Sequence, residues 1–397
     1  MLPDRATDPP YISVVLTGRN DGYGGEFVAR FLATLQFNSR ELRARGIPHE
    51  FVLVEWAPPS DVPLLAELVD ARCPPPVATT LRTIVVDPMY QQAVTLNPRV
   101  TYQEYLAKNV GARRARGEYV VITNCDIFLG RRILERLERR DLAPGVIYRA
   151  PRWDLKEMSR VEPIDWEYLE DPGSLSGPPR AIRPPYFSGG AGDFIAIDRV
   201  GFEQLRGFNE VYRLVRIAID GNFVVHAAAS GLRIVDVGGP VYHIDHAGSY
   251  RTSRAQYVGR ETDAPYGDER WPADAVVYWN RPTWGLAAAP ERTLSPRRTY
   301  LAFSWDAVPP LVDLSRIVLP LDERPPDHPL GVADTADQTP LEVSLDRYRA
   351  GVREQRAVAA AARGTIERAA ATVAEGQAFV RRRRRKAAKM AARRASA

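Results

Sequence analysis

Cysteine and long apolar runs are both scarce in this chain of 397 residues. Cys73 and Cys125 are its two cysteines, which excludes a framework of several disulfides and predicts a reducing compartment. No apolar run approaches the roughly 18 residues of a membrane-spanning helix, and the N-terminus lacks the apolar core of a signal peptide. We therefore expect a cytoplasmic protein in which any metal site uses oxygen and imidazole ligands.

Positive charge is concentrated at the C-terminus. Residues 381–397 contain seven Arg, two Lys and no acidic residue, so the rest of the chain is net negative although the whole carries +5. Such a tail is expected to bind an anionic membrane surface, at the inner face of the plasma membrane. The simpler alternative is that the charges only increase solubility. We expect no nucleic-acid partner, because no aromatic residue interleaves the arginines.

The first 150 residues alternate between β-rich and helical patterns. The predicted strands and the helices between them cover, in turn, residues 11–17, 26–45, 50–55, 62–71, 81–86, 102–116 and 118–123. This alternation is typical of a mostly parallel sheet flanked by helices. Periodicity is lost over residues 151–192, and shorter strands and helices are predicted from residue 193 to residue 244.

These patterns predict an α/β domain over residues 8–295, with a nucleotide-binding half at 8–150 and an acceptor half at 151–295. Prolines recur over residues 296–340, which indicates a strap or linker. Residues 341–397 predict a helical, basic C-terminal extension, and its alanine-rich helices could support an oligomer.

Polar residues follow three of the predicted strands. They lie at the carboxyl edge of the sheet, where open α/β sheets bind ligands. The residues placed there are Thr17, Gly18, Arg19, Asn20, Glu55, Asn124 and Asp126. The nearby loop Gly22-Tyr23-Gly24-Gly25 resembles a dinucleotide-binding fingerprint, which makes a nicotinamide-dependent oxidoreductase one alternative. The match is incomplete, because Phe27 stands where the third glycine is required.

Several further motifs occur in a fixed order. They are Lys108-Asn109, Asn124-Cys125-Asp126, Ser188-Gly189-Gly190-Ala191-Gly192-Asp193, Gly207-Phe208-Asn209-Glu210, Ile219-Asp220 and Val241-Tyr242-His243. Together they resemble the GT-A fold nucleotide-sugar glycosyltransferases, family 2-like with a galactosyltransferase-like, family 7-like C-terminal half. The resemblance covers about residues 11–250 and departs from the family pattern at Asn124 and Ile219, where acidic residues are expected.

The resemblance implies a metal-dependent, inverting glycosyltransferase (EC 2.4, hexosyltransferase type) for polysaccharide biosynthesis. It would move a sugar from a nucleoside diphosphate, expected to be UDP, to a hydroxyl of a glycan or lipid-linked saccharide. Asp126 and His243 would hold Mn²⁺ or Mg²⁺, with His246 as the alternative ligand, and Asp220 would be the general base. The implied nucleotide-sugar contacts are Thr17, Gly18, Arg19, Asn20, Glu55, Lys108, Asn109, Asn124 and Asp193.

The residues themselves leave structural alternatives open. Asp126 could form an Asx turn, Asp220 a helix N-cap and Asp193 a turn before a strand. The aromatic residues Trp271, Tyr278, Trp279 and Trp284 could stack on a sugar or pack in the core. A nucleotidyltransferase and a non-catalytic binding module of the same fold are the other functional alternatives.

Deletion of residues 380–397 tests the role of the tail. We predict that the truncated protein no longer sediments with vesicles containing anionic lipid, because each basic residue near such a surface contributes about 1 kcal/mol. Vesicles of neutral lipid are the control. Equal sedimentation of the full and truncated chains with anionic vesicles would exclude the tail as an anchor.

Overall fold

A computed structural model describes residues 9–95, 100–156, 164–177, 182, 187, 191–210, 219–246 and 280–309. These residues belong to the first of two compact units of the chain, residues 1–349. The second unit, residues 350–397, lies outside the described residues, and so do the predicted tail helices and the basic run.

The described strands and helices begin and end as follows. The strands are β1 (Ile12–Gly18), β2 (His49–Trp56), β3 (Leu81–Val86), β4 (Tyr119–Thr123), β5 (Ile127–Leu129), β6 (Val146–Arg149), β7 (Arg152–Leu155), β8 (Phe194–Asp198), β9 (Arg233–Asp236), β10 (Val241–Ile244), β11 (Glu291–Ser295) and β12 (Arg298–Leu301). The α-helices are α1 (Phe27–Ala44), α2 (Leu65–Arg72), α3 (Pro75–Ala78), α4 (Pro88–Val94), α5 (Glu104–Arg113), α6 (Arg131–Glu138), α7 (Trp166–Glu170), α8 (Arg199–Leu205) and α9 (Ile219–Ala229). Short 3₁₀ helices cover Pro172–Ser174, Ala191–Asp193 and Trp305–Ala307. Within these described elements, no helix has both the length and the apolar character needed to cross a membrane.

Nine of the described strands form a central sheet in the order β11-β12-β3-β2-β1-β4-β8-β6-β9. Five neighbouring pairs of this described sheet are parallel, and three are antiparallel. The predicted α/β class, with a mostly parallel central sheet flanked by helices, is thereby confirmed.

Helices cover both faces of the sheet around β1. Val14 and Leu16 point into a core that includes Phe31 of α1. Val15 points to the opposite face, where α5 packs closely on the strand. A Cβ added to Gly111 of α5 would lie only 2.6 Å from Cγ1 of Val15. Because both faces are covered, β1 is a continuous apolar run rather than an alternating one, and this is the pattern that made it predictable.

A second, three-stranded sheet has the order β5-β10-β7. The middle strand, β10, is antiparallel to β5 and parallel to β7. This register pairs His243 with Ile127 on one side and with Asp154 on the other. The sheet therefore places His243 beside Asp154 and next to Asp126, the residue that precedes β5.

A hairpin of β11 and β12 extends the central sheet, with β12 parallel to β3. Arg297 and Arg298 both contact the carboxylate of Asp70, with 3.1 Å between Arg297 Nη2 and Asp70 Oδ1. The sheet thus continues past residue 295, into the segment that the sequence predicted as a strap. Strand β11 could not be predicted from the sequence, because its residues are mostly exposed and apolar and polar residues do not alternate along it.

The connection from β2 to α2 is held by a buried carboxylate. Glu55 is fully buried, and its Oε2 and Oε1 accept hydrogen bonds from the backbone N–H groups of Leu65 (2.8 Å) and Ala66 (3.0 Å). The first turn of a helix has no intrahelical acceptors for these donors. Burial raises the pKa of Glu55 to about 7, although both hydrogen bonds oppose the shift.

Glu55→Gln should change the pH dependence of stability. Folded Glu55 titrates near pH 7 and the unfolded side chain near 4.5, so between these values the folded state binds more protons. The free energy of unfolding of the wild type, relative to Glu55→Gln, should therefore fall as the pH rises through this range. Denaturant unfolding at several pH values measures the difference, and a pH-independent difference would contradict the prediction.

Candidate metal centre and active site

Three buried side chains converge where β4 ends. Asp126 follows β4, His243 lies on β10, and His246 comes two residues after β10. One ligand atom from each of the three lies within 4.8 Å of the others. The predicted metal residues are therefore neighbours in space, although 117 positions of sequence separate Asp126 from His243.

The distances suit a divalent cation. Asp126 Oδ2 lies 3.7 Å from His243 Nε2 and 3.3 Å from His246 Nε2. Metal bonds of about 2.0–2.2 Å place neighbouring ligand atoms about 3 Å apart, so these three atoms, which lie within 4.8 Å of one another, would move closer together around a bound ion. Three protein ligands leave coordination positions for water or substrate oxygens, as catalytic metal sites require.

Asp154 orients one of the histidines. Its Oδ1 lies 2.9 Å from His243 Nδ1, and this hydrogen bond leaves Nε2 facing Asp126. Metal-binding histidines are commonly held in this way by a carboxylate on the other ring nitrogen. Sequence analysis missed Asp154, because it lies in the segment without periodicity; an acid between the apolar residues Trp153 and Leu155 was the available signal.

Arg30 of α1 lies behind the carboxylate of Asp126, with 3.7 Å between Arg30 Nε and Asp126 Oδ2. The guanidinium also donates hydrogen bonds to the backbone carbonyls of Tyr23, at 2.8 Å, and Gly25. Burial raises the pKa of Asp126, but the two histidines and Arg30 outweigh burial and hold this pKa well below its usual range. The carboxylate is therefore ionised, as a metal ligand must be.

The glycine loop packs against the metal cluster. A Cβ on Gly24 would lie 2.3 Å from His246 Nδ1, and Gly24 has a φ of +66°. The ring of Tyr23 meets the His246 ring edge-on, with 5.3 Å between centroids. In this structure the absence of a side chain at Gly24 makes room for the imidazole of His246.

A polar network extends from the metal cluster through Asn124. Lys108 Nζ donates hydrogen bonds to Asn124 Oδ1 at 2.8 Å, Glu104 Oε1 at 2.7 Å and the carbonyl of Gly192 at 3.0 Å. Asn124 Nδ2 in turn donates to Asp193 Oδ1 at 2.9 Å. The structure thus brings together three predicted residues, Lys108, Asn124 and Asp193, in one hydrogen-bonded group.

Arg152 connects this network to the metal centre. Its Nη1 donates to Asp193 Oδ2 at 3.1 Å, and its Nε lies 2.9 Å from Asp154 Oδ1. Both carboxylate oxygens of Asp193 therefore have protein partners. In this structure Asp193 fixes the positions of Asn124 and Arg152.

Asp220 lies in the first turn of α9 and is buried. Burial raises its pKa, while Arg149 and Lys108 oppose that shift. Asp220 is also among the neighbours that raise the pKa of the Tyr105 hydroxyl. Within the part of the chain that the structure describes, Asp220 Oδ2 has no hydrogen-bond partner, so one oxygen is free to accept a proton.

The end of β1 lies beside Asp126. The Cys125 thiol donates to the carbonyl of Thr17, at 3.3 Å, and the Thr17 hydroxyl contacts the hydroxyl of Tyr102. Arg19 lies over the Tyr102 ring, 5.4 Å from its centroid, and pairs with Asp21 at 2.7 Å. Burial raises the pKa of Cys125, so the thiol stays protonated and can donate this hydrogen bond.

Gly18 and Asn20 complete this strand end. A Cβ on Gly18 would lie 2.8 Å from the ring of Phe27, so the helix approaches the strand closely there. Asn20 Nδ2 donates to the carbonyl of Pro63 at 3.0 Å. Asn20 thus ties the loop after β1 to the segment before α2.

Two predicted nucleotide contacts already have partners in the fold. Asn109 is fully buried, donates to the carbonyl of Phe208 and to Glu210 Oε1, and accepts from the Phe208 N–H. Glu55 accepts both N–H groups of α2, as described above. A ligand contact by either side chain would require atoms that these hydrogen bonds use.

Part of the predicted acceptor half lies outside the described residues. This applies to Ser188-Gly189-Gly190, Trp271, Tyr278 and Trp279. Trp284 is described and buried, with its ring 5.8 Å from that of Phe202 and the guanidinium of Arg113 stacked over it at 4.9 Å. Core packing therefore accounts for Trp284.

No protein-family model and no curated protein sequence matches this chain. Among solved structures it is similar to one described as the crystal structure of GalNAc-T7 with UDP, GalNAc and Mn²⁺. The sequence identity is 13%, the TM-score is 0.41, and the match covers 69% of this chain and 53% of that one. The chain thus matches about half the length of that protein.

Gly24→Ala should weaken metal binding, because the new Cβ would displace the imidazole of His246. Gly22→Ala is the matched control, since Gly22 has a φ of +71° and a Cβ there would meet nothing within 4 Å. We expect the Mn²⁺ affinity measured by calorimetry to fall about 10- to 100-fold in Gly24→Ala, the range typical of disturbed outer contacts to a metal ligand. Equal losses in both variants would contradict this role of Gly24.

Proposed function

We propose that this chain is a GT-A glycosyltransferase that transfers a sugar, with inversion, from a nucleoside diphosphate to a hydroxyl. The observation that carries the proposal is the buried cluster of Asp126, His243 and His246 at the carboxyl edge of the parallel strands. Ligands bind at this edge in open α/β sheets. The position of Asp220 supports the same proposal, since a base with one free oxygen belongs in a displacement of this kind.

The ligand set fits a borderline divalent cation. Two imidazoles and one carboxylate favour Mn²⁺ over Mg²⁺, because Mg²⁺ prefers oxygen ligands. When bound, such an ion would neutralise the negative charge that grows on the leaving diphosphate. Asp154 would hold the ring of His243 in the orientation that this binding requires.

Asp220 would take the proton of the acceptor hydroxyl. The carboxylate is buried, and its Oδ2 has no partner among the described residues. The hydrogen bonds among Lys108, Asn124 and Asp193 would hold the residues around Asp220 in a fixed position relative to the metal ligands.

The nucleoside would lie at the end of β1, where Arg19 and Tyr102 line the loop beside Asp126. We propose UDP as the nucleotide and a glycan or lipid-linked saccharide as the acceptor. The basic tail would hold the protein at the inner face of the plasma membrane, next to such an acceptor.

A thermal-shift panel of UDP, GDP, CMP, ATP and NADH, each with and without Mn²⁺, tests this proposal. We expect one nucleoside diphosphate to raise the melting temperature when Mn²⁺ is present. Asp126→Asn should remove this dependence on metal. Asp220→Asn should keep the metal-dependent stabilisation by the nucleotide. Its turnover of the matching nucleotide sugar should fall by about 10²- to 10⁴-fold, the usual contribution of a general base.

The outcomes separate the alternatives. Metal-dependent binding without transfer or hydrolysis of any donor would favour a binding module. Stabilisation by ATP, with formation of a nucleotide sugar from a sugar phosphate, would favour a nucleotidyltransferase. Stabilisation by NADH alone would overturn the proposed function. Wild-type turnover in Asp220→Asn would overturn the role of Asp220.

A further inference from the structure

Arg30 of α1 is a buried cation that binds three consecutive backbone carbonyls of the glycine loop. Its Nη2 donates to the carbonyl of Tyr23 at 2.8 Å. Its Nη1 donates to the carbonyls of Gly24, at 3.4 Å, and Gly25. The side chain is 3% exposed, and the N–H donors of a guanidinium form a rigid, planar fork. The guanidinium therefore fixes the three carbonyls relative to one another.

The glycine loop has a backbone shape that needs such support. Gly24 and Gly25 have φ values of +66° and +70°, and Glu26, which follows the loop, has a φ of +45°. A residue with a Cβ is disfavoured in this left-handed region, so the backbone at Glu26 is strained. The hydrogen bonds from Arg30 to the preceding carbonyls help to hold the loop in this shape.

The same guanidinium faces the candidate metal centre. Arg30 Nε lies 3.7 Å from Asp126 Oδ2, the oxygen that also lies 3.3 Å from His246 Nε2. On the other side of that imidazole, a Cβ on Gly24 would lie 2.3 Å from Nδ1. Arg30 thus contacts one candidate metal ligand directly and holds the loop that packs against another.

Arg30 can affect metal binding in two opposite ways. Its positive charge beside Asp126 repels a cation bound there. Its hydrogen bonds keep the glycine loop against His246, and a site that is already ordered loses less entropy when it binds. The contacts favour the second effect, because both Nη atoms donate to the loop. The distance of 3.7 Å from Nε to Asp126 is longer than a hydrogen bond.

We propose that Arg30 is a positioning residue for the candidate metal centre, which holds the glycine loop so that His246 and Asp126 can bind one divalent cation. The inference rests on the proposed function, because it concerns the same metal site. Arg30 acts through the loop and the two ligands. Its effect is therefore measurable as metal affinity, without any turnover of a donor.

Calorimetric titration of Mn²⁺ into Arg30→Lys tests this role. Lysine keeps the positive charge but is a single point of donors that cannot replace the guanidinium fork. The affinity for Mn²⁺ should fall about 10- to 100-fold, the range typical of disturbed outer contacts to a metal ligand. Arg30→Met, which removes both the charge and the fork, should also bind Mn²⁺ less tightly than the wild type.

Arg45→Met is the matched control. Arg45 follows the opposite end of α1 and pairs with a carboxylate as Arg30 does, with 2.9 Å between its Nη1 and Glu138 Oε2. Because this pair involves neither the glycine loop nor a candidate metal ligand, Arg45→Met should bind Mn²⁺ as the wild type does. An equal loss in the Arg45 and Arg30 variants would overturn the inference.

A double variant tests whether Arg30 acts through the loop. Arg30→Lys and Gly24→Ala would both disturb the contact between the loop and His246. Their effects on Mn²⁺ affinity should therefore not be independent, and the double variant should lose less affinity than the product of the two single losses. A loss equal to that product would show that Arg30 acts separately from the loop and would overturn the inference.

The remaining outcomes separate the inference from the proposed function. Wild-type or higher Mn²⁺ affinity in either Arg30 variant would overturn the inference and leave the proposed function standing. Weaker Mn²⁺ binding in both variants, in a protein that turns over no donor, would support the inference while the proposed function fails. A wild type that binds no Mn²⁺ would overturn both. If one Arg30 variant does not fold, the other carries the test, and failure of both to fold would show that Arg30 is required for the fold itself and would overturn the inference.

Discussion

The hydrogen bond between Asp154 and His243 is the contact on which the candidate site depends. It joins two neighbouring strands of the three-stranded sheet and fixes the imidazole that faces Asp126. The same carboxylate pairs with Arg152, which also binds Asp193. One side chain on β7 therefore orients a candidate metal ligand and anchors the polar network that reaches Lys108.

Compensation of buried charge organises the rest of the site. Two buried acids of the site have cationic or imidazole partners: Asp126 has the two histidines and Arg30, and Asp193 has Arg152. Ionised groups cannot be buried without such partners. Because these partners lie on different strands and helices, the charge pairs also fix those elements relative to one another. These contacts, which permit burial of the charged groups, therefore also make the candidate site rigid.

The first half of the fold was predictable because its strands are covered on both faces. β1, β2, β3 and β4 are continuous apolar runs, and each was predicted within two residues of its observed bounds. Strand β7 was not predicted, because Arg152 and Asp154 are buried there for electrostatic reasons and break any apolar pattern. Asp126, His243 and Asn109 were chosen through the order of motifs, His246 through its place beside His243 and an acid, and Glu55 through its place at a strand end. The structure brings Asp126, His243 and His246 together, whereas Glu55 and Asn109 form hydrogen bonds within the fold.

The glycine loop shows why a sequence signal for close approach does not identify the approaching group. Glycines between a strand and a helix indicate that something approaches the backbone closely, and a phosphate is one candidate. At Gly24 the approaching group is the imidazole of His246, contributed by a segment more than 200 residues away. A sequence shows that Cβ is missing, but the identity of the group that fills the space depends on tertiary contacts. Here the missing Cβ lets an N-terminal loop pack against a ligand of the candidate metal centre, so the geometry of that centre depends on both ends of the domain.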